Sequence, residues 1–87
     1  MRYRVSSQTI DITASTTLNP DQRYGAWMAV NQGSSPATVM GYELLPGEGL
    51  DMLNAVPAGS TWDTPIQIRV QGGGLVRITR LQYTEEG

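Results

Sequence analysis

The sequence predicts an all-β protein, either a small antiparallel β-sandwich or a barrel of about six to seven short strands. Three observations predict this class. Apolar and polar residues alternate with a period of two in several short runs, as they do in half-buried strands. Clusters of Gly, Pro, Asn and Ser separate these runs and mark turns. At 87 residues, the chain is long enough for one domain with one modest core.

Residues 1–7 are interpreted as an N-terminal arm or as a first strand. Arg2 and Arg4 alternate here with Tyr3 and Val5, ahead of a polar Ser-Ser pair. As an arm, the segment would add a strand to a neighbour's sheet edge, with Tyr3 and Val5 in a groove and both arginines against acidic surface. As a first strand, it would belong to the chain's own sheet.

The sandwich domain is expected over residues 8–83, followed by a polar C-terminal tail over residues 84–87. Its first part places Ile10 and Ile12 on one face of a short strand and Asp11 on the other. A half-buried strand is therefore predicted at the start of the domain.

The next run, residues 23–31, is predicted to be a strand whose outer face is partly apolar. It ends at a turn in which Gly33 takes positive φ at little cost and Pro36 locks φ. Alternation divides the strand's side chains into two faces, with Tyr24, Ala26, Met28 and Val30 on one and Arg23, Trp27 and Asn31 on the other.

The run from residue 38 to residue 44 continues the alternation and is predicted to place Met40, Tyr42 and Leu44 on one side. A second turn follows, in which Pro46 removes a backbone donor and Gly49 is suited to positive φ. Residues 50–54 are too few for a stable isolated helix, so we interpret them as a strand or an irregular edge.

The strongest local signal is a predicted β-hairpin between residues 65 and 83. Ile66, Ile68 and Val70 alternate with polar residues, and a second alternating run begins at Leu75. Three consecutive glycines lie between the two runs, which is typical of a hairpin loop of three to five residues with a possible bulge.

Composition limits the function. The chain has no His, Cys or Lys, so nucleophilic catalysis, thiolate metal sites and disulfides lack their usual side chains, and we expect no enzyme and no cofactor. A net charge of −2 argues against nucleic acid as a partner. No apolar run approaches the roughly 18 residues that cross a bilayer, so we expect a soluble protein without a leader or membrane partner.

The acidic residues are scattered along the chain, which is typical of solvated strand faces and turns. A calcium site at Glu48, Asp51 and Asp63 is the alternative, but their spacing does not match a loop of the EF-hand type. No metal site is therefore predicted.

Large aromatic residues and arginines are the best candidates for an interaction surface, because Trp and Arg are enriched at interface centres. Core packing is the alternative for Trp27 and Trp62. Arg69 and Arg77 either face each other across the predicted hairpin or meet acidic partners. The predicted interface comprises Arg2, Tyr3, Arg4, Val5, Arg23, Trp27, Trp62, Arg69 and Arg77.

Over residues 24–83 the sequence resembles small β-sandwich virion proteins of tailed bacteriophages. The resemblance is carried by an apolar strand ending in Asn-x-Gly at 30–33, a short returning strand at 37–39, a Leu-Pro-Gly-Glu-Gly-Leu turn at 45–50 and a closing strand at 76–81. The chain departs from the family in having Leu45 directly before the proline and a longer segment between residues 51 and 64.

The resemblance implies a non-enzymatic structural protein, made in the bacterial host cytoplasm, that binds the major capsid protein or another virion protein on the outside of the capsid. In that family such modules decorate or cement the capsid and commonly form homotrimers. The alternative is a carbohydrate- or receptor-binding module of a tail or fibre, in which Trp27 or Trp62 stacks on a sugar.

Overall fold

The computed structural model describes residues 2–20, 24–53 and 61–86. Two antiparallel sheets of four strands pack together, which confirms the predicted all-β, antiparallel class. The first sheet has the order β1-β8-β3-β6 and the second the order β2-β7-β4-β5. The strands are β1 (Arg2–Ile12), β2 (Thr16–Leu18), β3 (Tyr24–Asn31), β4 (Ala37–Val39), β5 (Tyr42–Leu44), β6 (Gly49–Asp51), β7 (Ile66–Val70) and β8 (Val76–Glu86).

The core lies between the two sheets, and both sheets contribute small and branched apolar side chains to it. Trp27 is the largest fully buried side chain. In a chain without Phe, this one indole supplies the largest single burial of apolar area. The buried cluster consists of Ile12, Trp27, Ala29, Ala37, Val39, Leu44, Ile66, Ile68, Val76 and Ile78.

From Trp27 onward, β3 buries the face that alternation predicts to be the outer one, whereas Tyr24 and Ala26 are buried as predicted. Trp27, Ala29 and Asn31 are buried, whereas Met28 and Val30 are only half-buried. The cause is an irregularity in the pairing with β8, where three steps along β3, from Tyr24 to Trp27, match two steps along β8. Such a bulge places Tyr24 and Trp27 on the same face, which a strict period of two cannot do.

The predicted strand over residues 38–44 is divided by a tight turn. Met40 and Gly41 both have positive φ, 50° and 84°, and connect β4 to β5 as a two-residue hairpin. Positive φ at both central residues is the geometry of a type I′ turn, whose twist suits antiparallel strands. Val39 consequently lies opposite Tyr42, and Met40 is a turn residue instead of a strand residue.

The predicted hairpin between residues 65 and 83 is wrong. β7 pairs with β2 and β4 in the second sheet, and β8 pairs with β1 and β3 in the first. Both edges of β8 are therefore occupied by other strands. The turn between Gln71 and Gly74, closed by a 2.8 Å backbone hydrogen bond, carries the chain from one sheet to the other. Ile68 and Ile78 thus enter the core from opposite sheets.

The chain's two ends lie side by side in the first sheet. β1 begins at Arg2, so residues 2–7 form the first strand of the chain's own sheet, one of the two alternatives. Residues 84–86, expected to belong to a polar tail, are the last residues of β8 and pair with residues 2–4. Eleven consecutive residue pairs join β1 and β8.

The two turns recognised in the sequence have the predicted positions but different glycine geometry. Gly47, with φ of 88°, supplies the positive φ in the turn after Pro46, where Glu48 donates its backbone N–H to the carbonyl of Leu45 at 2.9 Å. Gly33 is needed for another reason. A Cβ there would clash with the backbone of Gly74, so only glycine permits this close approach.

Candidate interaction surface

The paired ends of β1 and β8 extend beyond the rest of the first sheet. The pairing of β3 with β8 ends at Gln82, whereas the pairing of β1 with β8 continues to Arg2 and Glu86. The described fold is accordingly elongated, with principal extents of 46 × 20 × 17 Å. We call residues 2–6 together with residues 82–86 the terminal ribbon.

β1 is at the end of its sheet, so one of its edges carries backbone groups that no described strand pairs. Val5, in the terminal ribbon, is an exposed large apolar residue, with 52% of its surface accessible, and Arg4 is exposed beside it. The backbones of Arg2 and Tyr3 pair with Glu86 and Glu85, but the two side chains lie outside the described part of the structure. Four of the predicted interface residues are thus on the terminal ribbon.

The outer face of the first sheet combines apolar residues with one ion pair. Arg77 Nε donates to Asp11 Oδ1 at 2.9 Å across β8 and β1, and Arg77 Nη2 donates to Oδ2 at 3.4 Å. The hydrogen bond from Arg77 lowers the pKa of the Asp11 carboxyl, and the same bond raises the pKa of Arg77. Arg77 therefore pairs with an acidic residue, which is the second of the two alternatives given for it in the sequence analysis. Half-buried Met28 and Val30 of β3 and Leu81 of β8 lie on the same face as this pair.

The outer face of the second sheet is polar. Arg69 of β7 lies opposite Thr38 of β4, which in turn lies opposite Glu43 of β5. Two shallow depressions, of about 280 and 240 Å³, share Gln67 and Arg69 in their walls. Arg69 and Arg77 are therefore on different sheets and do not face each other, because β7 and β8 do not form a hairpin.

The two tryptophans pack together instead of offering an interaction surface. Trp27 is only 1% exposed, so its prediction as an interface residue is wrong and the core alternative is correct. Trp62 is half-buried, packs against the core, and meets Trp27 edge to face with ring centroids 5.4 Å apart. The bulge in β3 turned Trp27 inward, which alternation could not indicate. Arg23 lies outside the described residues.

Two exposed apolar residues were not identified from the sequence. Tyr42 is 59% exposed at the start of the edge strand β5, and Leu45 is 48% exposed before the Pro46-Gly47 turn. The sequence signal for Tyr42 is Gly41 directly before it. Met40 and Gly41 form the turn between β4 and β5, so Tyr42 is the first residue of the edge strand.

Two of the three carboxylates considered for calcium, Glu48 and Asp51, bind backbone N–H groups of their own turns, and Asp63 accepts from the hydroxyl of Thr64. Glu48 Oε1 accepts from Leu45 N at 2.7 Å, and Asp51 Oδ1 accepts from Leu53 N at 2.8 Å. Such local hydrogen bonds stabilise turns and explain the positions of both residues. Within residues 2–20, 24–53 and 61–86, no three His, Cys, Asp or Glu residues are grouped as a metal site.

Within the same ranges, no helix is long and apolar enough to cross a bilayer. Comparison of the chain with protein-family models, with curated proteins and with solved structures gives no match.

Proposed function

We propose that this chain is a non-enzymatic structural protein of a tailed-phage virion, which binds the outside of the capsid lattice and stabilises it. The proposal combines the resemblance of the turns and closing strand with one structural observation, the open edge of β1 along the terminal ribbon. An open edge binds an extended segment of a partner by adding a strand, with main-chain hydrogen bonds for affinity.

The character of β1 supports its use as a binding edge. Soluble monomers usually protect edge strands with Lys, Pro, bulges or short length. β1 is eleven residues long, contains neither Lys nor Pro, and pairs with β8 without a shift in register. A long, regular edge of this kind is therefore suited to a partner strand.

The half-buried apolar residues on the outer face of the first sheet support the same proposal. Met28 and Val30 of β3 lie near the Arg77–Asp11 pair, since Val30 is directly opposite Arg77 in register. A mixed surface of aliphatic residues and arginine is typical of protein interfaces. In this proposal the partner is the major capsid protein or another virion protein, and copies of the chain assemble as a homotrimer on the virion exterior.

The alternative proposal is a carbohydrate- or receptor-binding module of a tail or fibre. It is favoured by the polar depressions around Gln67 and Arg69, whose amide, guanidinium and neighbouring hydroxyl groups are suited to hydrogen bonds with a sugar. Tyr42 of β5 is an exposed aromatic residue, but it pairs with buried Val39 and therefore lies on the opposite face from these depressions, so this alternative rests on the polar groups alone.

A pair of matched variants separates the two proposals. Val5→Lys changes an exposed apolar residue of the terminal ribbon, and Gln67→Lys adds the same charge to the exposed outer face of the second sheet. Binding to empty capsids of the encoding phage is measured by gel shift, and binding to sugars on a glycan array.

If the capsid proposal is correct, Val5→Lys weakens capsid binding by about tenfold or more and Gln67→Lys leaves it unchanged. Glycan binding that is lost in Gln67→Lys, without any capsid binding by the wild-type chain, would instead establish the alternative. Sedimentation of the wild-type chain at micromolar concentration tests the trimer, which a species of 9.5 kDa alone would exclude.

A further inference from the structure

Three buried hydrogen-bond donors have no acceptor among the described residues. They are the indole Nε1–H groups of Trp27 and Trp62 and the guanidinium Nε–H of Arg80. Burying a donor without an acceptor is unfavourable, and native proteins pair the great majority of such groups. A single explanation that covers all three donors is therefore needed.

The residues that carry these donors line a single cavity, which we call the Trp–Arg cavity. Tyr24, Gly25 and Ile66 are also in its wall, so much of the lining is apolar. Its free volume is about 10 Å³, the space of one water-sized particle. A sulfate or phosphate ion, with five heavy atoms, is too large for this space, whereas a single atom fits.

Arg80 gives the Trp–Arg cavity a positive charge. Its guanidinium Nη2 donates to Gln8 Oε1 at 2.7 Å, and its Cζ lies 4.2 Å from the centre of the Tyr24 ring. Both groups are neutral, and Arg80 has no carboxylate partner among the described residues, in which Asp11 pairs with Arg77. Because Arg remains charged at any physiological pH, its partly buried charge favours a negative partner.

A water molecule and an anion differ in how well they suit this environment. Either would accept from the indole groups, but only an anion would also compensate the charge of Arg80. Hydrogen bonds from N–H groups to an anion are stronger than those to a neutral acceptor. The donors and the charge thus favour an anion, and the small free volume favours a monoatomic one.

We propose that the Trp–Arg cavity is a binding site for a monoatomic halide ion, chloride under physiological conditions. The ion would accept from Trp27 and Trp62 and compensate Arg80. Since Trp27 is on β3, Arg80 on β8 and Trp62 on the segment before β7, bound halide would join the first sheet to the connection that enters the second.

Thermal unfolding in two sodium salts tests the proposal on the wild-type chain. Chloride is compared with gluconate, an organic anion too large for the cavity, at constant ionic strength. At a chloride concentration of about five times the Kd, binding raises the ratio of folded to unfolded protein about sixfold. For a domain of this size, we expect a saturable rise in Tm of about 4–8 °C. Identical melting in the two salts would mean that no chloride binds, and would overturn the proposal.

Two variants locate the effect. Trp62→Phe keeps an aromatic ring but removes one N–H donor, and we expect it to weaken chloride binding about tenfold or more. The matched control is Tyr42→Phe, which removes one hydroxyl from an exposed ring outside the cavity and should leave the chloride dependence unchanged. An equal chloride effect in Trp62→Phe and the wild type would place the ion elsewhere and refute the assignment.

A crystal grown in bromide gives a second readout that needs no variant. An anomalous peak within hydrogen-bond distance of the Trp27 and Trp62 nitrogens supports the proposal even if Trp62→Phe does not fold. Bromide peaks confined to other positions would contradict it.

Discussion

The side-chain amide of Asn31 donates a hydrogen bond to the carbonyl oxygen of Leu44 at 2.8 Å and so joins the two sheets. The same Nδ2 donates to the carbonyl of Ser35 at 2.9 Å, and Oδ1 accepts from the N–H of Gly33 at 2.9 Å. Asn31 is fully buried, with 0% of its surface exposed. One buried amide therefore fixes the turn after β3 against the end of β5.

Replacing Asn31 with Ala is expected to lower the free energy of unfolding by about 2–4 kcal/mol, because the change leaves buried backbone groups without partners. Asn31→Asp should be similarly costly, since a carboxylate cannot donate to Leu44. Urea denaturation measures both. The matched control is Gln32→Ala at the next, exposed position, with an expected effect within about 0.5 kcal/mol. A loss no larger in Asn31→Ala than in this control would contradict the role of the amide.

Ile68 and Ile78 are expected to be centres of stability, although they belong to different sheets. Each is almost completely buried, so replacement with Ala should cost about 2–5 kcal/mol by creating a cavity. Val5→Ala, at an exposed apolar position, serves as the control and should have little effect. Chemical denaturation that finds a loss below about half a kilocalorie at both isoleucines would show that the core is assigned to the wrong residues.

Deleting residues 1–5 tests whether the terminal ribbon serves binding more than folding. The core residues of β1 begin further along the strand, with Ile12 in the buried cluster and Ile10 packed against it. We therefore expect the truncation to change Tm by only a few degrees and to weaken capsid binding by about tenfold or more. Melting followed by circular dichroism and a capsid gel shift provide the two readouts. Loss of folding together with binding would show that the ribbon is part of the stability of the domain.

The Asp11–Arg77 pair predicts a specific pH dependence. Because the hydrogen bond from Arg77 lowers the pKa of Asp11 in the folded state, the contribution to stability is present above the usual carboxyl value of 3.8. It is lost as the pH falls below that value through the lowered pKa.

An NMR titration of the Asp11 carboxyl carbon should find a pKa below 3.8, and Arg77→Gln should return it toward that value. Arg69→Gln, which removes an arginine from the other sheet, is the control and should leave the Asp11 pKa unchanged. An Asp11 pKa that is the same with and without Arg77 would rule out the coupling.

The fold class and the positions of most strands and turns could be predicted from the sequence, because they depend on local chemistry. The alternation of Ile66 and Ile68 with polar residues marks a half-buried strand whatever its partners are. Pro46 followed by Gly47 ends a strand because the first fixes φ and the second accepts positive φ. The edge strand at residues 49–51 likewise overlaps the range 50–54 that is predicted to be a strand or irregular edge.

Strand pairing, the choice of the buried face and the meeting of Trp27, Trp62 and Arg80 could not be predicted, because they depend on long-range packing. Alternation shows that a strand has one apolar face, but it contains no information on its neighbours, so β7 and β8 were wrongly joined in a hairpin. The bulge before Trp27 depends on pairing with β8 and decides which face of β3 is buried from Trp27 onward. Trp62 and Arg80 meet Trp27 at one cavity because long-range packing, which no local pattern encodes, brings three distant segments together.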